Sequence, residues 1–166
     1  MASPVAVWAS DPEAIPAAPG TYALVLRLDR PRPFTVGALG SFVLQRGRYL
    51  YLGSARGPGG LAARLAHHRR PPARPHWHVD YLRVAGARPV AVGWMEGAAH
   101  RECAWAQGAL ALPGAEAPIP RFGASDCRCL THLLFLSAAG EGMETPQAVL
   151  EALARRLGIS LTCVLL

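Results

Sequence analysis

The 166-residue sequence predicts one α/β (α+β) domain in which helices flank a small, central, mostly antiparallel sheet. The hydrophobic fraction is 51% and the charged fraction only 17%, which excludes a disordered chain. Strand-like segments with short connections come early, and such strands usually pair antiparallel. No apolar run approaches the roughly 18 residues of a membrane-spanning helix, so we expect no membrane partner.

The chain is predicted to have three parts: a proline-rich leader over 1–19, a main domain over 20–138, and a C-terminal helix and strand over 139–166 that pack on the same domain. Four prolines interrupt the leader, which lacks the basic and apolar regions of a signal peptide, so we expect it to be loose. Without an export signal the expected compartment is the cytoplasm. Cysteines there are thiols or metal ligands more often than disulfides.

The first half of the chain is predicted to form four strands and one helix. The strands cover 21–28, 35–39, 41–44 and 48–52. The first strand places Leu24, Leu26 and Leu28 on one face. A glycine-rich loop over 53–60 leads to the helix over 61–70, which two prolines end.

The second half continues the alternation of strands and helices. Extended segments are predicted over 76–82 and 90–95, a helix over 98–112 and a strand over 131–137. Thr145 as N-cap and Pro146 at the first helical position start a last helix, which Gly158 ends. A final strand is predicted over 159–166.

Positive charge is concentrated in the middle of the chain. Between Arg46 and Arg101 there are ten arginines against two acidic residues, and five of the six histidines lie there too. A concentrated positive field favours a polyanion, and the planar guanidinium matches phosphate with two parallel hydrogen bonds. All 17 basic residues are arginine, which a coding bias also explains. The distribution therefore predicts a nucleic-acid partner.

Several short strings occur in a fixed order along the chain. Gly20-Thr21-Tyr22 opens the first strand, Tyr51-Leu52-Gly53 ends a later one, and Arg64 and Glu102 follow on two helices. Longer strings are Tyr49-Leu50-Tyr51-Leu52-Gly53-Ser54-Ala55, Gly57-Pro58-Gly59-Gly60-Leu61, His76-Trp77-His78-Val79-Asp80-Tyr81-Leu82, Glu102-Cys103-Ala104 and Phe122-Gly123-Ala124-Ser125-Asp126-Cys127-Arg128-Cys129. Over roughly residues 20–136 this pattern resembles the GIY-YIG nuclease superfamily, in its Uri-type branch of stand-alone predicted endonucleases.

The resemblance implies a divalent-metal-dependent endonuclease that hydrolyses phosphodiester bonds in DNA. A permanently charged Arg64 suits the charge that develops on the phosphate, and one carboxylate, Glu102, suffices for Mg²⁺ or Mn²⁺, which retains several waters. The resemblance implies the same two roles, with Tyr51 and Tyr22 around the attacking water. A phenol with a pKa near 10 needs help to act as a base. The two tyrosine-bearing strands are expected to be neighbours. Arg64 and Glu102 are expected within about 10 Å of Tyr51, so that one phosphate and one hydrated metal ion fit between them.

A second group of residues is expected around this site. His68 follows Arg64 by one helical turn and so shares its face, which resembles a histidine of the family, with His76 or His78 as a further one. Gly53, Ser54 and Arg56 are candidate phosphate contacts, and Arg69 and Arg70 are candidate backbone contacts. Many relatives have Lys where this chain has Ser54, so Arg56 is the candidate substitute. Some relatives use a late Asn that this chain lacks, and Asp126 or His132 are candidate replacements.

Cysteines form a cluster in the sequence. Cys127, Cys129 and His132 lie close together, and Cys103 beside Glu102 could complete four ligands of zinc type. The alternative is apolar packing of free thiols, and Cys163 looks like a core residue. Two other functions stay open: a non-catalytic nucleic-acid-binding module of the same fold, and a zinc- or cysteine-based enzyme. The oligomeric state stays open as well.

Overall fold

The computed structural model describes residues 3–137 and 140–166. In these residues the strands are β1 Ala6–Trp8, β2 Gly20–Leu28, β3 Arg32–Val36, β4 Gly40–Leu44, β5 Gly47–Ala55, β6 Arg88–Glu96, β7 Ala115–Glu116, β8 Leu133–Leu136 and β9 Leu161–Leu165. The helices are α1 Gly60–Arg69, α2 His78–Val84, α3 Glu102–Leu110 and α4 Pro146–Leu157. The predicted boundary between residues 138 and 139 lies outside the described residues.

One mixed sheet organises the fold. Seven strands lie in the order β1-β9-β6-β2-β5-β8-β7, and β3 and β4 form a separate hairpin. Every neighbouring pair of the large sheet is antiparallel except β1 and β9, which are parallel. The predicted α/β class with a mostly antiparallel sheet is confirmed. Among the described helices, none is long and apolar enough to cross a membrane.

The core has two layers, one on each face of the sheet. On one face Tyr22, Leu24 and Leu26 of β2 pack with α1 and α2, while Ala23 and Val25 face α3 and α4. Because β2 lies inside the sheet with helices on both sides, its residues 20–26 are all buried. The prediction that Leu24, Leu26 and Leu28 form one apolar face of this strand is therefore incomplete, because the opposite face is apolar and buried as well.

The N-terminal segment is more ordered than the sequence predicts. Ala6, Val7 and Trp8 pair in parallel with β9, and backbone bonds join Leu161 N–H to Val5 and Ala9 N–H to Cys163. Further on, the carbonyls of Pro16 and Ala18 accept the N–H groups of Ala62 and Leu61 in the first turn of α1. The prediction of a loose leader over 1–19 is wrong for these residues, because β9 and α1 offer backbone groups that need partners.

The segment predicted as extended over 76–82 is also different. It contains helix α2, and the carboxylate of Asp80 accepts hydrogen bonds from the backbone N–H groups of His76 (2.8 Å) and Trp77 (3.0 Å). An acidic residue in the first turn satisfies N–H groups that have no partner inside the helix. The extended prediction was wrong because this cap outweighs the β-forming residues of the segment.

Candidate active site

A cavity of about 480 Å³ opens where β5, α1, α3 and the loop over 117–132 meet. Tyr51, Arg64 and Glu102 all line it. The two tyrosine-bearing strands are neighbours, as expected, with Tyr51 paired to Leu24 and Tyr22 to Gly53. Three residues that are far apart in the sequence therefore share one cavity, each supplied by a different element of secondary structure.

Arg64 is held in place by two contacts. Its guanidinium donates a hydrogen bond to the carbonyl of Ser54 at 3.1 Å, and its central carbon lies 4.1 Å from the centroid of the Trp77 ring. The aromatic face attracts the cation and restricts its rotamers. One hydrogen bond uses one of the five N–H groups of a guanidinium, so further donors are available to an anion in the cavity.

Glu102 is the first residue of α3 and its side chain is 18% exposed. One carboxylate oxygen pairs with Arg56 at 3.2 Å, and the other lies 3.6 Å from Nδ1 of His100. The start of a helix carries partial positive charge, which attracts a carboxylate there. Glu102 therefore presents carboxylate oxygens to the cavity, next to the guanidinium of Arg56.

Tyr51 stands at the wall of the cavity with 8% of its surface exposed. Burial raises the pKa of Tyr51 to about 12, although the charge of Arg64 acts in the opposite direction. At neutral pH the residue is a phenol, which can donate one hydrogen bond and accept others. The raised pKa thus favours a role for Tyr51 in hydrogen bonding over a role as the base that removes a proton from water.

Tyr22 and His68 lie behind the cavity rather than on its wall as far as the described residues extend. Both are buried, and the Tyr22 hydroxyl is 2.7 Å from Nε2 of His68. Burial raises the pKa of Tyr22 well above its usual value and lowers the pKa of His68 to about 3. The Tyr22 and Tyr51 rings lie 6.3 Å apart, so the buried pair supports Tyr51 from the inside.

Acid sensitivity follows from the buried, neutral His68. In the unfolded chain this histidine takes up a proton below pH 6.5, whereas the folded protein resists protonation until about pH 3. The free energy of unfolding should therefore fall as the pH drops from 6.5 towards 3. Denaturant unfolding of the wild type and of His68→Gln at pH 7 and pH 5 measures this. We expect a smaller loss in His68→Gln, because this variant lacks the imidazole that is neutral in the folded protein and takes up a proton on unfolding. Equal losses in the two proteins would contradict this.

The predicted phosphate contacts divide into two sets. Gly53, Ser54 and Arg56 line the cavity. The others lie elsewhere in the described part of the chain, namely Arg69, Arg70, His76 and His78. The first three of these are exposed, whereas Nδ1 of His78 accepts a hydrogen bond from the backbone of Gly123 at 2.7 Å.

Gly53 has a packing reason to be glycine. A Cβ atom at this position would lie 2.5 Å from the Tyr22 hydroxyl oxygen and 3.0 Å from the Tyr51 ring. No real side chain tolerates such distances, so the two tyrosines occupy the space that a larger residue would need. Gly53 thus leaves room for the Tyr51 ring at the wall of the cavity and for the Tyr22 ring behind it.

A family model described as "Domain of unknown function DUF123" matches residues 21–155. The chain belongs to this family. No curated protein and no solved structure matches the chain. The matched span of the DUF123 domain runs from β2 into α4, and every residue that lines the cavity lies inside it.

The sequence predicted no role for some of the residues that line the cavity of this DUF123 domain, among them Trp77, His100 and Gly123. Trp77 lies between His76 and His78, for which a role was predicted, and His100 lies two positions before Glu102. Gly123 has φ +69°, and a Cβ there would lie 3.1 Å from both Tyr51 and His132. Trp77 and His100 lie close to motif residues in the sequence, but only the fold shows that they face the cavity.

Arg83 is one of the ten central arginines but does not contribute free positive charge. It is 8% exposed and donates hydrogen bonds to the backbone carbonyls of His68, Arg69 and Ala87. The bonds to His68 and Arg69 satisfy carbonyls at the end of α1 that have no partner inside the helix. The charge available to a polyanion is therefore smaller than the sequence count indicates.

Within the described part of the chain, two groups of side chains could hold a metal ion. One consists of Cys103, Cys127, Cys129 and His132, and the other of His67, His68 and Asp80. In the second group the side chains already pair with protein atoms, since His67 and Asp80 lie 2.9 Å apart and His68 contacts Tyr22. The first group lies at the rim of the cavity, where Cys103, Cys127 and His132 contribute to its lining.

Proposed function

We propose that this DUF123 domain is a divalent-metal-dependent endonuclease of GIY-YIG type, in the Uri-type branch, that hydrolyses phosphodiester bonds in DNA. The observation that carries the proposal is the convergence of Tyr51, Arg64 and Glu102 on one cavity. They are three of the four residues to which the motif resemblance assigns the reaction, the fourth being Tyr22, and they come from three separate elements. The cavity also contains Arg56, which adds a second cation for a phosphate.

In this proposal Arg64 stabilises the scissile phosphate. Hydrolysis adds negative charge to the phosphoryl oxygens in the transition state, and a fixed guanidinium neutralises it without reorganising. Trp77 and the Ser54 carbonyl hold Arg64 before the substrate arrives. Arg56, which pairs with Glu102 in the substrate-free protein, is close enough to the cavity to contact the same or a neighbouring phosphate.

Glu102 fits the role of ligand to Mg²⁺ or Mn²⁺. Its partly exposed carboxylate oxygens are hard donors, which these ions prefer, whereas the thiols beside it suit a softer metal such as zinc. When bound, the divalent ion would supply electrophilic stabilisation of the phosphate and the leaving oxygen. Glu102 is the residue of the cavity that would hold it.

Tyr51 then orients the attacking water. Because its pKa is raised to about 12, a phenolate is too rare at neutral pH to serve as the base without further help. The phenol instead positions the water oxygen by a hydrogen bond. Tyr22 and His68 act indirectly, by fixing the position of the Tyr51 ring from the buried side.

Trp77 should affect the rate through Arg64. Removing the ring in Trp77→Ala deletes a cation–π contact, so we expect the cleavage rate to fall roughly three- to thirtyfold. Trp77→Phe retains an aromatic face and should lose less. Single-turnover rates at saturating enzyme, with circular dichroism to verify folding, measure the effect. Equal rates for the folded alanine variant and the wild type would show that Arg64 does not need this platform.

A panel of nucleic acids tests the proposed function. Branched, flapped, duplex and single-stranded DNA, with RNA counterparts, are incubated with wild-type protein in Mg²⁺, Mn²⁺ or EDTA. We expect metal-dependent cleavage of at least one DNA. Tight binding without any cleavage would favour the non-catalytic binding module. Loss of cleavage in a folded Cys103→Ala variant, together with full activity of Arg64→Ala, would favour the cysteine- or zinc-based enzyme.

A further inference from the structure

Three thiols and one imidazole converge beside the cavity but have no part in the proposed hydrolysis. All donor atoms of Cys103, Cys127, Cys129 and His132 lie within 4.8 Å of one another. We propose that these four residues bind one zinc ion, which fixes the loop over 117–132 to the start of α3. This site is separate from the Glu102 metal site and does not depend on the nuclease function.

The distances between donor atoms fit tetrahedral zinc. Nε2 of His132 lies 3.7 Å from Sγ of Cys103 and 3.5 Å from Sγ of Cys127. With Zn–S bonds of about 2.3 Å and Zn–N bonds of about 2.0 Å, tetrahedral angles place a sulfur and a nitrogen ligand about 3.5 Å apart. The side chains are therefore spaced as ligands of one ion already.

The surroundings of these cysteines differ from those of a core cysteine. Cys103, Cys127 and Cys129 are all partly exposed, whereas Cys163 is buried and packs in the core between the sheet and helices α3 and α4. Thiols that merely fill apolar space should resemble Cys163. Zinc binding explains why three free thiols gather near the surface around an imidazole.

The backbone of the loop is arranged to present these ligands. The guanidinium of Arg121 donates hydrogen bonds to the carbonyls of Ala124, Cys127 and Cys129, so one side chain holds the turn that carries both cysteines. The N–H of His132 donates to the carbonyl of Phe122 at 2.7 Å. Three thiolates, a neutral imidazole and Zn²⁺ carry one net negative charge, which the Arg121 cation at the same turn balances.

The donor set selects zinc and a structural role. Thiolate and imidazole are soft ligands that favour zinc over Mg²⁺ or Mn²⁺. Four protein ligands complete a tetrahedral site and leave no position for a substrate. Because Cys103 follows Glu102 directly and Cys127 and His132 line the cavity, the bound ion would hold that wall of the cavity in place.

Metal analysis of the 166-residue protein tests this site without any nucleic acid. The wild type, Cys129→Ser and Cys163→Ala are purified without a metal-affinity column, dialysed against a moderate chelator and analysed by mass spectrometry for zinc. We expect about one zinc ion per chain in the wild type and Cys163→Ala, and a loss of most zinc in Cys129→Ser. Zinc-free wild type after supplementation with Zn²⁺, iron in place of zinc, or full zinc retention in Cys129→Ser would overturn the proposal.

Cobalt spectroscopy keeps the test valid if Cys129→Ser fails to fold. Metal-free wild type is titrated with Co²⁺ alone, and thiolate-to-cobalt charge transfer together with the visible bands of tetrahedral cobalt is expected. Zn²⁺ should then displace the colour with a stoichiometry of about one ion per chain. Absence of both spectral features would overturn the proposal. Neither outcome depends on nuclease activity, so the two proposals can fail separately.

Discussion

Replacement of Glu102 by glutamine should abolish metal-dependent cleavage, with a loss of about a thousandfold or more in the single-turnover rate. Glutamine keeps the size of the side chain but removes the negative charge that binds the divalent ion. The same change removes the partner of Arg56, so DNA affinity should stay equal or increase slightly. Rates at saturating enzyme and fluorescence anisotropy with a DNA substrate measure the two quantities separately.

Glu96 supplies a matched control for this prediction. It is an exposed glutamate at the end of β6 and does not line the cavity in the described chain. Glu96→Gln changes the net charge by the same amount and should keep the wild-type rate. Equal losses in both variants would mean that general electrostatics, rather than a metal ligand, explains the effect of Glu102.

Replacement of Arg64 by alanine should lower the cleavage rate about a hundred- to a thousandfold. The guanidinium contributes mostly in the transition state, where phosphate charge increases, so the maximal rate should fall more than DNA affinity does. Arg64→Lys keeps the charge but loses the planar fork and the stacking on Trp77, and should recover only part of the activity.

Arg69→Ala is the control for Arg64. Arg69 lies on the same helix, is exposed, and is not among the described residues that line the cavity. Its replacement should weaken DNA binding modestly and equally for all sequences, because a peripheral arginine contacts the phosphate backbone. A loss of maximal rate in Arg69→Ala as large as that in Arg64→Ala would remove the special role of Arg64.

The elements that local sequence specifies well were predicted well. The central strands β2 and β5 are long, apolar runs, and helix α4 has its own start and stop residues in Thr145 and Gly158. Strand β1 was missed because its three residues depend on pairing with β9, which lies more than 150 residues away. Helix α2 was missed because a single side chain, that of Asp80, decides its start.

Only part of the candidate site was predictable from the sequence. The motif order placed Tyr51, Arg64 and Glu102 together, and all three line one cavity. That Tyr22 and His68 lie behind it depends on strand register and on the packing of α1 over β2, which no local pattern contains. Nor does a local pattern show that Arg83, one of the ten central arginines, donates hydrogen bonds to carbonyls at the end of α1.

The most direct measurement of the central claim is a single-turnover cleavage assay on the DNA that the wild type cuts fastest in the substrate panel. Wild type, Arg69→Ala, Arg64→Ala and Glu102→Gln are compared at saturating enzyme in Mg²⁺ and in EDTA. We predict Mg²⁺-dependent cleavage by the wild type and Arg69→Ala, severe loss of cleavage in Arg64→Ala and no detectable cleavage in Glu102→Gln. Cleavage by folded Glu102→Gln at the wild-type rate, or no cleavage of any panel substrate by the wild type, would contradict it.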